Sequence, residues 1–100
     1  MNTTEYVRLP AAGVRYRVEF QKDQGHVLGF VVQLELACED RWTPIVRYDT
    51  AHGVPHRDSY KSDGSAVKHD PVSGSFDGAF TLAVHDVRNN WPDWIERFRS

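Results

Sequence analysis

The sequence predicts an α+β protein: an antiparallel β-meander of about four to five strands with C-terminal helices packed on one face. Two patterns carry this prediction. Between residues 14 and 48, apolar and polar side chains alternate in runs separated by turn residues, the period-two signature of half-buried strands. Beyond residue 76 the period changes. Phe80, Val84, Val87, Trp91, Trp94 or Ile95, and Phe98 recur at intervals of three, four and seven, which lines them along one stripe of a helix. The strands' apolar faces and this stripe need each other, so the layers should stack. With 100 residues, 40% of them apolar, the chain can build one core without a metal or disulfide and is too short for two. We read residues 1–100 as a single domain.

Each element follows from local sequence. Residues 1–13 hold Pro10 and Gly13 without a strong period and are expected as an N-terminal arm or short edge element. Val14, Tyr16, Val18 and Phe20 share one face of a first regular strand, with Arg15, Arg17, Glu19 and Gln21 on the other. Asp23-Gln24-Gly25 supplies a turn into a second strand over 26–38, where Phe30, Val32, Leu34, Leu36 and Cys38 oppose Gln33 and Glu35. Glu39-Asp40-Arg41 breaks into a third strand over 42–49. Gly53-Val54-Pro55 is expected as a tight connection to a fourth strand near 56–61, so the antiparallel sheet occupies 14–61. Residues 62–75, with Gly64, Pro71 and Gly74, read as loop with a short strand near 66–68. Pro92 interrupts the helical stripe and Asn89-Asn90 precedes it as a potential cap, so residues 76–99 are expected as kinked or paired helices.

Composition narrows the function classes. A formal net charge of -2 provides no global basic field, so any contact with nucleic acid must come from a local patch. The lone Cys38 cannot form an internal disulfide and ends a strand on its apolar side, which favours an inert buried thiol. The longest apolar stretch, around Phe30-Val31-Val32, is far short of a membrane span, and the N-terminus lacks the regions of a signal peptide. The expected location is the cytoplasm, without membrane contact.

Reactive side chains concentrate between Arg47 and Lys61. If Gly53-Val54-Pro55 is the turn, His52 and His56 face each other across a hairpin with β-carbons roughly 5 Å apart. Two imidazoles so placed divide general-acid and general-base roles near neutral pH. Asp58 joins them as a candidate catalytic residue, Arg47, Arg57 and Lys61 are candidate phosphate holders, and Tyr48 and Asp49 are expected as structural support. These are the parts of a metal-independent ribonuclease, in which one histidine deprotonates a 2′-hydroxyl and the other protonates the leaving oxygen; no cofactor is expected. A plainer reading pairs Asp49 with Arg47 and Asp58 with Arg57 and leaves the histidines capping turn carbonyls, at little gain in stability. A metal reading through His52, His56 and Asp49 or Asp58 lacks a further ligand, since no cysteine pair or His-Glu-x-x-His helix supplies one. His26, His69 and His85 read as surface residues, and Trp91 and Trp94 as core or dimer contacts rather than base-stacking platforms.

The run Arg47-Tyr48-Asp49-Thr50-Ala51-His52-Gly53, then His56-Arg57-Asp58, then Asp63-Gly64, resembles small uncharacterised prokaryotic proteins, among them those grouped with the TumE-type toxins of toxin–antitoxin pairs. These small prokaryotic proteins similarly place an Arg-Tyr-Asp-like motif ahead of clustered histidines and a later Asp-Gly turn. Arg47, Asp49, His52, His56 and Asp58 match position by position; Thr50 stands where an asparagine is frequent, and Arg57-Asp58 where a further histidine would extend the cluster. The resemblance implies a toxin-like, RNA-directed protein acting in the cytoplasm with an antitoxin partner. From a different class, the alternative is a non-catalytic protein-binding or dimerisation module that uses the sheet face or the Trp91/Trp94 region.

Overall fold

The alternation of residues 14–38 becomes the centre of a six-stranded sheet. The computed structural model describes the backbone of residues 2–100 and their side chains apart from 66–68. The strands are β1 (Asn2–Ala11), β2 (Val14–Asp23), β3 (His26–Cys38), β4 (Arg41–Asp49), β5 (His56–Tyr60) and β6 (Ala66–Pro71), and the single helix α1 runs Phe76–Arg99. Sheet order equals chain order and every neighbouring pair is antiparallel, so the whole sheet is one meander.

Register sorts the side chains onto two faces with opposite chemistry. On one face Tyr16, Leu34 and Val46 stand in a row across β2, β3 and β4, and Val18, Val32 and Tyr48 form the next row. Leu34, Val32 and Val46 are fully buried there. They meet Ala79, Ala83, Val87, Trp94, Ile95 and Phe98 of α1. The two alanines, whose side chains end at Cβ, let the helix approach the sheet closely. One partly buried bond system pins the layers together: Asp86 accepts from the Tyr48 hydroxyl at 2.5 Å and from Trp94 Nε1 at 2.9 Å. Burial first, and Asp86 second, push the Tyr48 phenol well above its ordinary value, so it stays a donor throughout the physiological range.

Both ends of α1 are specified locally. Ser75 caps the N-terminus, its hydroxyl accepting from Gly78 N at 3.0 Å, and Asp77 lies in the first turn; Arg97 and Arg99 occupy the last. Asp77 also accepts from Val27 N at 3.0 Å, which fastens the first turn of the helix to β3. Ser75→Ala is therefore expected to lower stability by about 1 kcal/mol, read as a fall of several degrees in Tm; an unchanged melt would show that the cap is dispensable.

Of the two forms expected for the N-terminal residues, arm or short edge element, residues 2–11 take the edge form, at full strand length, paired with β2 from Asn2 opposite Lys22 to Ala11 opposite Val14. Two other expectations are corrected. The segment expected as mostly loop contributes β6, which pairs with β5 and extends past 66–68 to Pro71. The helix runs unbroken through Pro92. A proline inside a helix costs about 3 kcal/mol. Here it sits on the exposed side, where water can reach the Arg88 carbonyl it leaves unpaired, while Val87 before it and Trp94, Ile95 and Phe98 after it all bury against the same sheet. No helix among the described residues is long and apolar enough to cross a membrane.

Candidate functional site

Helix α1 covers one face of the sheet; the other carries the polar half of the alternation. Val7, Arg17, Gln33, Arg47, Asp58 and His69 stand directly opposite one another across all six strands. The neighbouring row on the same face is Glu5, Glu19, Val31, Asp49, His56 and Pro71. Among the described residues the buried polar side chains are Gln33, Glu35, Asp49 and His56, and all four belong to this face. Burying such groups is costly unless they are bonded, so their partners matter.

They bond to each other in one network. Glu35 accepts from Arg15 Nε at 2.5 Å, Gln33 Nε2 at 2.5 Å and Arg17 Nε at 3.1 Å. Arg47 donates from Nη1 to Gln33 at 3.1 Å and from Nε to Asp49 at 2.6 Å. Asp49 also accepts from Ala51 N at 3.0 Å and lies 2.8 Å from His56 Nε2. For Glu35, burial pushes the carboxyl up, but the bonds from Arg15 and Gln33 and the Arg17 charge outweigh it and hold the group below its ordinary value. Asp49 behaves alike: burial raises it, and Arg47, the Ala51 amide and His56 together bring it lower. A carboxyl depressed in the folded state stabilises the fold at pH values above its unfolded-state value and loses that contribution as pH falls through the folded one. Glu35→Gln is therefore expected to destabilise the protein at pH 7, with the gap to wild type narrowing below about pH 4 in urea unfolding; a pH-independent gap would contradict this.

At the β5–β6 end the network reaches two histidines. Nδ1 of His56 lies 3.1 Å from the Val54 carbonyl, while its Nε2 faces Asp49. Both neighbours are acceptors, so each ring nitrogen of His56 has an acceptor within hydrogen-bond reach. Asp58, two residues on, lies directly opposite His69, and one of its oxygens is hydrogen-bonded to His69 Nδ1; the other is 3.9 Å from His56 Nε2. The two imidazoles are 4.6 Å apart between centroids with a 40° tilt. His56 is almost enclosed, its side chain 10% exposed, and His69 is open to solvent at 66%. The Asp58 carboxylate can only accept at Nδ1 of His69, so the neutral form of the ring carries its proton there and presents its lone pair on Nε2.

The expected His52–His56 pair does not form. Gly53-Val54-Pro55 is not the tight turn: the β4–β5 connection runs over residues 50–55, and Asp49 is the cross-strand partner of His56. His52 lies exposed in a short 3-10 turn at Ala51–Gly53 with φ of +70°, and it joins no hydrogen bond or ion pair among the described residues. Arg57, expected beside the histidines, points to the helix face, where it donates to Asp70 at 3.0 Å and lies 5.1 Å from the Trp94 ring. The Asp58–Arg57 pair of the plainer reading is therefore replaced by Asp58–His69, whereas Asp49–Arg47 is present. Lys61 is exposed just past β5, and Tyr48 belongs to the core. Of the residues singled out from sequence, Arg47, Asp49, His56 and Asp58 come together; His69 is the member that reading missed. The signal available was arithmetic: a strand ending at Pro71 and antiparallel to 56–60 sets residue 69 against residue 58.

An open meander with one face under a helix, and a His–Asp–His cluster on the other, defines a small α+β protein with a polar site on a bare sheet face. The chain belongs to a family described as a domain of unknown function (DUF7718), whose match spans residues 1–100. That match makes no link to TumE-type toxins. Neither a curated protein nor a solved structure matches the chain.

Proposed function

We propose that the chain is a cytoplasmic, toxin–antitoxin-type ribonuclease that cleaves RNA without a metal, with His56 and His69 as its acid–base pair. The observation that carries this reading is the shared carboxylate: Asp58 bonds one imidazole and lies 3.9 Å from the other. In the proposed step, His69 Nε2 takes the proton of a 2′-hydroxyl, with Asp58 holding the ring in the required tautomer. The 2′-oxygen attacks the adjacent phosphorus, the bond to the 5′-oxygen breaks, and the doubly protonated His56 returns a proton to that oxygen. The products are a 2′,3′-cyclic phosphate and a 5′-hydroxyl. Arg47 and Arg17, in the same cross-strand row as Asp58, provide cationic groups for the flanking phosphates.

The test is incubation of purified protein with a single-stranded RNA oligonucleotide in chelator, beside the same oligonucleotide with 2′-deoxyribose throughout. The expected result is cleavage of the RNA alone, with cyclic phosphate ends. Intact RNA, or cleavage of both strands, rejects the mechanism.

The binding-module alternative has one observation in its favour. Edge strand β1 leaves Val7 43% and Leu9 66% exposed. It predicts a dimer or a captured antitoxin that protects β1 amides from hydrogen exchange, and a monomer with freely exchanging β1 amides, alone or with antitoxin, would remove it.

A further inference from the structure

We infer that His56, Asp58 and His69 form a binding site for a transition-metal dication of the zinc or cobalt(II) class. The donor set is two imidazoles and one carboxylate, which suits zinc, cobalt or nickel and not the all-oxygen preference of calcium or magnesium. One ligand atom from each residue lies within 4.8 Å of the others. A tetrahedral ion with bonds of roughly 2.0–2.2 Å holds its ligands about 3.4 Å apart, so side-chain movements on the order of 1 Å close the site. The backbone places the three: Asp58 is paired with His69 across β5 and β6, and His56 shares the face of Asp58 one alternation away.

Two details favour a ligand over a bystander cluster. His56 Nδ1 lies 3.1 Å from the Val54 carbonyl, the outer hydrogen bond that usually fixes a metal-bound histidine and leaves Nε2 to the ion. Asp49, 2.8 Å from that Nε2, supplies a further carboxylate beside the ion, as a fourth ligand or as compensating charge. His69, exposed at the outer end, leaves an entry path and room for water. Sequence alone lacked the third ligand because it set His52, not His69, beside His56. The inference is independent of RNA cleavage. An ion here occupies the nitrogen lone pairs that acid–base chemistry would use, so the two occupancies exclude each other.

The experiment is titration of tag-free protein with cobalt(II), followed by visible absorption, and with zinc(II), followed by calorimetry, without RNA. One ion per chain is expected, with an absorption band of four-coordinate cobalt. Affinity should fall at least tenfold in His69→Ala and in Asp58→Asn, both of which alter partly exposed side chains and should leave the fold unchanged, and should be unaltered in His52→Ala. The absence of saturable binding by the wild type, or binding that survives His69→Ala undiminished, overturns the inference, and neither result depends on whether the protein cleaves RNA.

Discussion

Replacing His69 by alanine is expected to lower RNA cleavage by a factor of about 10²–10⁴ while leaving the protein folded. The size follows from removing one proton-transfer group from a site whose other parts stay in place. The intact fold follows from exposure: the ring is 66% open and its bond is to Asp58 alone, so the melting temperature should move by no more than a few degrees. Asp58→Asn tests the same arrangement through a positioning residue. An amide can present an N–H to His69 Nδ1 and favour the wrong tautomer, so cleavage should fall although the imidazole remains. Rescue would be expected from Asp58→Glu in part, and His52→Ala should cleave as the wild type does. Equal cleavage by wild type and His69→Ala would reject the site, and loss of cleavage in His52→Ala would return weight to the hairpin pair expected from sequence. The measurement is initial rate on a defined oligonucleotide, beside a thermal melt of each variant.

Trp94→Ala should cost about 3–5 kcal/mol, a fall in Tm of more than about 10 °C for a chain of this size. The indole is 7% exposed, lies against the sheet, and donates from Nε1 to Asp86 at 2.9 Å. Arg57 and Arg97 lie 5.1 and 4.8 Å from its ring, so truncation removes packing and the surface on which both guanidiniums rest. Asp86 would keep Tyr48 as donor, but the C-terminal part of α1 would lose its largest anchor. Trp94→Phe keeps most of the buried area and should cost much less. Calorimetry of the two variants decides the matter: a melt within a few degrees of wild type for Trp94→Ala would place the residue outside the core and reopen its use as a contact for a base or a partner.

The parts of the fold that were legible are those where one face of a strand is buried and the other is not. Val14, Tyr16, Val18 and Phe20 alternate with charged and amide side chains because α1 lies on one side of β2 only, and the pattern records that asymmetry. Strand β1 records nothing of the kind. It is an edge, most of its residues are exposed on both faces, and without a buried side no period is imposed on its sequence. Pro92 misled for a related reason: its local cost is fixed by chemistry, whereas the burial of Val87, Trp94, Ile95 and Phe98 that offsets it is a property of the packed molecule.

By itself, the sequence determined the α+β class, the meander, the inward faces of the central strands and the presence of His56 and Asp58 on one face, since residues two apart in a strand share a side whatever the rest of the chain does. Only the tertiary structure decided which histidine joins them. That choice rests on register, and register rests on the length and backbone of two connections: the six-residue link that sets Asp49 against His56, and the link after Tyr60 that sets His69 against Asp58. A shift of one residue in either would send the whole set of side chains to the other face. His52 is nearer to His56 in the chain, but it lies exposed in a turn with positive φ, outside the paired ladder, and His69 reaches the site because an antiparallel strand returns it there.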